Sequence, residues 1–219
     1  MSSKRESGFT LIEIAIVLVI IGLLLGGVLK GQELITGARV RNFIQQQDGV
    51  KAAYFGFLDR YRALPGDYAQ ATGTIAGVTV VPACNNKNGD GDGLIEAANN
   101  ENTLAWEHLS RAGFINGTYT CAAAPAAATS PTNPYGQFLV LIFDATYAGA
   151  GGVNRHNLQT GAQVPSDILA EIDRKVDDGN AIQGSFRGSG ANPANACWSA
   201  AGVWTSATPS TNCAGTTLF

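Results

Sequence analysis

The most regular feature of the chain is a continuous apolar segment near its N-terminus. Residues 9–29 form a run of 21 positions with a single charged side chain, Glu13. As an α-helix this run would extend about 31 Å, which matches the hydrocarbon thickness of a bilayer. A secretory signal peptide has a shorter apolar region followed by a cleavage site of small residues. The pattern therefore predicts a transmembrane helix over residues 9–30 rather than a removed signal.

The helical pattern continues beyond this segment, now with one apolar face. Between Ile35 and Tyr61, apolar residues recur at spacings of three and four, which is typical of a helix that buries one side. Pro65 disfavours helical geometry at Leu64, so the helix should end before that residue. We expect one helix of more than about fifty residues, whose amphipathic half covers residues 31–64.

The pattern becomes irregular from residue 65 onward and predicts a globular head over residues 65–219. Its predicted elements are two short helices and two strands, at 104–112, 166–176, 137–143 and 182–187. Ser166 is the expected N-cap of the second helix, and 137–143 is a compact apolar run expected to form a central strand. Segments 122–134 and 188–196 are rich in small and polar residues and are predicted loops.

These elements together predict an α+β fold class. A long N-terminal helix, transmembrane in its first half, would pack its second half on a small antiparallel β-sheet head with short helices and loops. No internal repeat is apparent along the sequence.

Composition and charge narrow the functional classes. Charged residues make up only 14% of the chain, and the net charge is −3. The sequence has no basic stripe that could neutralise phosphates, so nucleic acid is not an expected partner. No P-loop, G-x-S-x-G or H-E-x-x-H pattern is present, and we do not predict an enzyme. The two histidines, His108 and His156, lie in unlike contexts and are expected to be exposed or singly hydrogen-bonded.

The cysteines indicate the compartment of the head. The chain has four, without C-x-x-C spacing: Cys84, Cys121, Cys197 and Cys213. This pattern disfavours a zinc cluster and predicts disulfides, which persist in an oxidising compartment such as the periplasm. Three pairings are possible. Proximity along the chain favours Cys84 with Cys121 and Cys197 with Cys213.

Glu13 is the anomaly of the apolar segment, because a carboxylate near the bilayer centre costs about 2.5 kcal/mol or more. The side chain could instead reach the headgroups, as long charged side chains do. Its neighbours decide between these readings. Residues 4–13 read Lys-Arg-Glu-Ser-Gly-Phe-Thr-Leu-Ile-Glu, with a short basic leader, a glycine, an aromatic residue and a glutamate five positions into the following chain. This run resembles the prepilin processing signal of type IV pilins and type II secretion pseudopilins.

The resemblance implies a specific maturation. A membrane-embedded prepilin peptidase/methyltransferase would cut between Gly8 and Phe9, removing leader residues 1–8, and would methylate the new amine of Phe9. Glu13 would then neutralise the N-terminal amine of a neighbouring subunit. A buried carboxylate and a buried ammonium are each costly alone and tolerable as a pair, so the physical chemistry agrees with this role.

The expected function is therefore a structural one. The resemblance implies a major or minor pilin, or a pseudopilin, of a type IV pilus or type II secretion filament. It would span the inner membrane once, with its head in the periplasm, and would assemble with homologous subunits into a filament. The alternative of another class is a non-polymerising, membrane-anchored calcium-binding or adhesive module, whose function is carried by residues 65–219.

One segment of the head suggests a cation site. Oxygen-bearing side chains alternate with glycine before Gly93 and Ile95, which is typical of the front half of an EF-hand-like calcium loop. The twelfth position is an asparagine, which cannot supply a bidentate carboxylate, so Glu96 or Glu101 would have to complete the site. A solvated turn is the alternative. The candidate Ca²⁺ ligands are Asn88, Asp90, Asp92, Glu96, Asn99 and Glu101.

Overall fold

The structure, a computed structural model, describes residues 10–80, 84–190, 192 and 196–219. The predicted leader 1–8 and the residue Phe9 lie outside these residues. The chain divides after Arg39 into two compact units. The helices are α1 Leu11–Tyr61, α2 Ala71–Thr74, α3 Glu101–Arg111 and α4 Ser166–Val176, with a 3₁₀ turn at Asn85–Lys87. The strands are β1 Val140–Asp144, β2 Arg155–Gln159, β3 Phe186–Ser189 and β4 Ala214–Leu218. This is the predicted α+β class.

From Leu11 to Leu29, α1 is apolar on every side, with Glu13 as its one charged residue. Its large apolar side chains, from Leu11 to Ile35, are 46–93% exposed. A helix that is hydrophobic all round is suited to an apolar surrounding rather than to water. By its length and composition, α1 can cross a membrane. The prediction of a transmembrane segment within this helix fits that finding.

The part of α1 in the second unit buries one face. Its buried residues recur at helical spacing and include Val40, Phe43, Val50, Tyr54 and Phe57. The helix ends at Tyr61, earlier than the predicted limit before Leu64. The cause is Arg62, which adopts a left-handed conformation with φ 55° and donates its N–H to the carbonyl of Leu58. A left-handed residue after the last turn is a common helix ending.

The sheet is antiparallel throughout, with the strand order β1-β2-β4-β3. The prediction that 137–143 forms a central strand is wrong, because β1 is an edge strand. The central strands β2 and β4 are polar, and their buried residues Asn157 and Thr216 hydrogen-bond to each other at 3.0 Å. The apolar run in the sequence therefore corresponds to the edge strand β1, whereas the central strands β2 and β4 are polar.

The two longer head helices fall where the pattern predicts them. Helix α3 begins at Glu101, three residues before the predicted start. Helix α4 has the predicted bounds, but Pro165 occupies the N-cap position and Ser166 is the first helical residue. The expectation that Ser166 is the N-cap is therefore wrong. Its hydroxyl instead donates to the carbonyl of Thr205 and accepts the N–H of Ser210.

Strand β3 extends two residues into the segment predicted as the loop 188–196. Gly188 lies in this strand, and a Cβ atom there would come within 2.6 Å of the Trp198 ring. The glycine that looked like a loop residue is the position where a tryptophan packs on the sheet. Trp198 and Trp204 are both buried, at 7% and 5% exposure, in one hydrophobic cluster.

Two disulfides close the head. Cys84 is joined to Cys121 and Cys197 to Cys213, the pairing that proximity along the chain favours. The second bond lies in the cluster of the tryptophans, while the first lies against Leu104 of α3. All four cysteines are buried. The Cys84–Cys121 bond therefore lies against α3, and the Cys197–Cys213 bond lies in the cluster that includes residues of α4.

Candidate functional site

Three carboxylates converge at the N-terminus of α3. One oxygen each of Asp67, Asp90 and Glu101 lies within 4.8 Å of the other two. Asp67 and Glu101 are buried and Asp90 is exposed. We call these three residues the acidic cluster. Asp67 was not among the residues predicted from the sequence, because it lies in the turn after α1, far along the chain from the predicted loop.

The loop before α3 is built around the Asp67 carboxylate. Its oxygens accept the N–H groups of Gly91 at 2.6 Å, Asp92 at 3.1 Å and Gly93 at 2.9 Å. The approach is close, since a Cβ atom on Gly89 would lie 2.2 Å from the backbone of Asp67. The loop conformation thus requires glycine at position 89 and an acceptor at position 67.

Glu101 holds the other end of the same loop. Its Oε1 accepts the N–H of Asp90 at 3.2 Å, and its Oε2 accepts the N–H of Glu96 at 3.0 Å. Burial raises the pKa of Glu101 to about 7, although these hydrogen bonds and the neighbouring charges act on it as well. Burial also raises the pKa of Asp67. A nearby positive charge would therefore stabilise the ionised form of both carboxylates.

The other predicted ligands have different partners. The side-chain oxygen of Asn88 accepts the N–H of Thr72 at 3.0 Å, and Asp92 Oδ1 accepts the N–H of Leu94 at 2.8 Å. Asn99 donates to Asp90 Oδ2 at 2.8 Å. Of the six predicted ligands, only Asp90 and Glu101 enter the acidic cluster, while Glu96 contributes its backbone N–H.

Hard oxygen donors with an excess of negative charge suit a divalent cation of the calcium type. Within the part of the chain that the structure describes, no ion pair involves a member of the acidic cluster. The three carboxylates fit such an ion by donor type and by charge. Their oxygens also accept backbone hydrogen bonds, so a bound ion would share them with the loop amides.

His108 lies beneath this region and is fully buried. Its Nδ1 accepts the N–H of Gly66 at 3.0 Å, so the proton lies on Nε2, which donates to the carbonyl of Lys87 at 3.1 Å. Burial lowers the pKa of His108 to about 4. The expectation of an exposed or singly hydrogen-bonded histidine is wrong here, because this ring fills the core and stacks on Phe57 at 6.2 Å.

The second region of interest is the start of α1. The Thr10 hydroxyl donates to Glu13 Oε2 at 2.7 Å, the Thr10 N–H donates to the same oxygen at 2.8 Å, and the Glu13 N–H donates to the Thr10 hydroxyl at 3.3 Å. This reciprocal pattern is a capping box, in which each side chain satisfies a backbone N–H of the first turn. Thr10 was not among the residues predicted from the sequence, although the spacing Thr-x-x-Glu signals a capping box.

The capping box orients the Glu13 carboxylate toward the beginning of the helix. The negative charge also lies at the positive end of the helix dipole. Glu13 therefore has a structural role within one chain besides the role that the resemblance implies. Its Oε2 accepts the local hydrogen bonds, which leaves Oε1 with free acceptor capacity among the described residues.

Residues 3–29 match the family description of a prokaryotic N-terminal methylation motif. The chain carries the prokaryotic methylation motif. This motif is the type IV pilin and pseudopilin signal, and it supports a type IV pilin-like or pseudopilin protein. No curated protein and no solved structure matches the chain.

The methylation motif includes the predicted cleavage site and the start of the apolar helix. Gly8 and Phe9 lie within the matched range but outside the described residues, so their processing remains a prediction. Glu13 lies within both. The exposed apolar face of α1 and the methylation motif together fit membrane anchoring.

Proposed function

We propose that the protein is a structural subunit of a type IV pilus or a type II secretion filament. The observation that carries the proposal is the methylation motif on a helix whose first part is apolar on every side. Such a surface needs lipid before assembly and sister helices after it, and both are apolar surroundings. A prepilin peptidase and other pilin-type subunits are the partners that the motif implies.

Assembly places a pairing requirement on the helix start. When helices leave the bilayer and pack on one another, the amine of Phe9 and the carboxylate of Glu13 enter apolar surroundings. Each charge alone would be costly there, while a pair between two subunits compensates both. The pair would also set the axial register, because it forms at only one relative height of neighbouring helices.

The test of this function is crosslinking of the helices in cells. The four native cysteines are all disulfide-bonded, so introduced cysteines can be followed separately. Val17→Cys with Leu24→Cys places two thiols at exposed positions of α1. Oxidation should give a regular ladder of crosslinked oligomers, whereas either single variant should stop at dimers. Monomers and dimers alone in the double variant would favour the membrane-anchored module that does not polymerise.

We also propose that the acidic cluster binds Ca²⁺ and thereby orders the loop before α3. The supporting observation is the convergence of Asp67, Asp90 and Glu101 with no ion pair to them among the described residues. The ion would supply positive charge to two buried carboxylates. The proposed ligand set thus keeps Asp90 and Glu101 of the sequence prediction and adds Asp67. The predicted ligands that it leaves out are Asn88, Asp92, Glu96 and Asn99.

Calcium should stabilise the head. The strands, the disulfides and the hydrophobic clusters lie within the unit Val40–Phe219, so a truncated protein that begins at residue 36 retains them. At free calcium a hundred times the dissociation constant, binding to the native state alone adds about 2.7 kcal/mol to the free energy of unfolding. The melting temperature in millimolar calcium should exceed that in chelator.

Matched variants locate the site. Asp90→Ala should abolish the calcium-dependent rise in melting temperature, while Asp92→Ala, two positions along the same loop, should keep it. Loss of the rise in Asp92→Ala and not in Asp90→Ala would favour the alternating loop of the sequence prediction over the acidic cluster. Superimposable melts of the unsubstituted protein in chelator and in calcium, with both disulfides intact, would remove the proposal.

A further inference from the structure

The 3₁₀ turn before the acidic loop has an unusual backbone. Four consecutive residues without a glycine adopt left-handed conformations: Cys84, Asn85, Asn86 and Lys87, with φ of 51°, 50°, 56° and 66°. Residues other than glycine visit this region singly, because Cβ then crowds the following carbonyl oxygen, and asparagine tolerates it best. A run of four is strained, and strain of this kind persists only where the surrounding structure imposes it.

Two bonds impose the turn, one at each end. Cys84 is joined to Cys121 by a disulfide, and Lys87 Nζ lies 2.6 Å from Glu107 Oε2 of α3. The two attachments meet, because the Cys121 N–H donates to the same Glu107 oxygen at 2.7 Å. All of these side chains are at most 6% exposed. The Glu107 carboxylate thus contacts Lys87 at one end of the turn and Cys121, the disulfide partner of Cys84, at the other.

The turn is continuous with the loop that carries the acidic cluster. The Lys87 carbonyl accepts a hydrogen bond from His108, and the next residue, Asn88, hydrogen-bonds to Thr72. The Gly89 N–H then donates to the carbonyl of Tyr68 at 3.1 Å. A change of the turn from left-handed to ordinary backbone would redirect the chain at this point and break these contacts in sequence.

We propose that the Cys84–Cys121 disulfide is an oxidation-dependent latch that holds the left-handed turn and, through it, the loop before α3. In the thiol form the turn relaxes, Lys87 leaves Glu107, and the loop opens. In the disulfide form the turn and the loop are closed. The head would therefore close the loop before α3 only after it reaches an oxidising compartment. The latch does not depend on filament formation, and it acts on the same loop that the proposed calcium site orders.

The chemical step is thiol–disulfide exchange. The two cysteine thiols lose two protons and two electrons as the S–S bond forms. A disulfide of an oxidant, either a protein or a small thiol compound in its oxidised form, accepts both electrons and leaves as two thiols. Because the four cysteines of the chain form two separate pairs, the latch can be oxidised without the Cys197–Cys213 bond.

The buried ion pair makes the latch all-or-none. A partial displacement of Lys87 would leave Glu107 as a buried carboxylate without its cation, which is strongly unfavourable, whereas full opening of the loop would admit water to Glu107. Intermediate positions of Lys87 are therefore disfavoured, and the segment has two arrangements, closed and open. Such a two-state element can be switched by one covalent bond.

Trypsin reports directly on the two arrangements. Lys87 is the one lysine or arginine between Arg62 and Arg111, and it is 4% exposed in the closed form. In the full chain in detergent micelles, the Cys84→Ser/Cys121→Ser variant should be cut after Lys87 about tenfold faster or more, because cleavage tracks the open population. The matched variant Cys197→Ser/Cys213→Ser should be cut at the unsubstituted rate. The new N-terminus at Asn88, detected by mass spectrometry, identifies the cut.

A second pair of variants separates release of strain from simple loss of a crosslink. In the protein without the Cys84–Cys121 bond, Asn85→Gly/Asn86→Gly should slow cleavage several-fold, because glycine adopts the left-handed turn without penalty. Asn85→Ala/Asn86→Ala should hasten it. Equal or faster cleavage of the glycine variant would overturn the proposal, as would equal cleavage of the two disulfide variants.

The proposal remains testable if the Cys84→Ser/Cys121→Ser variant fails to fold. The Cys197→Ser/Cys213→Ser variant keeps the latch as its one disulfide. Reduction and reoxidation of this protein in a glutathione buffer should switch cleavage after Lys87 on and off at least once. Cleavage that ignores the redox state while the Cys84–Cys121 bond is shown to break and re-form would refute the latch.

Discussion

Replacing Glu13 with leucine is expected to abolish filament assembly while leaving the protein in the membrane. The change makes the apolar segment more apolar, so insertion should be at least as good as in the unsubstituted chain. Cleavage should also proceed, since the change lies outside the predicted Gly8–Phe9 site. The measurement is the amount of assembled filament relative to the membrane-bound protein.

The size of the effect follows from the buried charge. Without the Glu13 carboxylate, the amine of each incoming subunit would enter apolar surroundings unpaired. Breaking a buried ion pair by removing one partner costs about 3–5 kcal/mol, and the cost recurs at every subunit contact. Loss of the capping box with Thr10 adds a smaller penalty of about 1 kcal/mol. This penalty is confined to the helix start, where the first turn can unwind without breaking the rest of the helix.

A matched control lies on the same helix. Glu33 is exposed and pairs with Lys30 at 2.7 Å, an interaction of little energetic value at a surface. Glu33→Leu should therefore assemble nearly as well as the unsubstituted protein. Unchanged filament in Glu13→Leu, or equal loss in both variants, would contradict the proposed pairing. Thr10→Val separates the capping role of Glu13 from its proposed pairing role, because it removes the hydroxyl of the capping box and keeps the carboxylate.

Replacing Gly8 with valine is expected to leave the chain unprocessed. Gly8 precedes the predicted scissile bond within the matched range 3–29, and a branched side chain there should exclude the bond from the peptidase. The unprocessed chain should keep residues 1–8 and carry no methyl group on Phe9. It should also fail to form filaments, because Phe9 then has no free amine to pair with Glu13.

The intact mass and N-terminal sequence of the purified protein measure this outcome. The unsubstituted chain should begin at Phe9 with one added methyl group, and the variant at its original N-terminus. Ser7→Val, one residue further from the predicted bond, is the steric control and should be processed. A mature N-terminus after Ala38 in the unsubstituted chain would show that the apolar segment is a removed signal and would end this interpretation.

Local pattern was sufficient for the helices and for the methylation motif. The bounds of α4 and the long α1 follow from apolar spacing, because a helix in contact with a core repeats its buried face every three or four residues. The motif at 3–29 is a contiguous stretch, so its recognition needs no tertiary contact. The same holds for the Thr10–Glu13 capping box, whose spacing is visible in the sequence.

Hydrophobic pattern was insufficient for the sheet. The strands β2 and β4 were not predicted, because their buried positions include Asn157, Thr216 and Thr217, which would read as exposed. These side chains are tolerated in the interior since neighbouring elements supply their hydrogen bonds, as the Thr217 hydroxyl does with Gln47 of α1 at 3.0 Å. Which polar residue finds such a partner depends on residues far along the chain.

The candidate sites divide along the same line. Alternating Asn88, Asp90 and Asp92 suggested a loop whose ligands are close in sequence, whereas folding brings Asp67 to Asp90 and Glu101 and turns Asn88 toward Thr72. Side chains separated along the chain meet only when turns and helices set their directions. The helix, its membrane character and its processing signal are properties of short contiguous stretches. The acidic cluster, the strand order and the left-handed turn depend on contacts between residues far apart in the sequence. Such contacts form only when folding brings distant segments together and buries their charged groups beside one another.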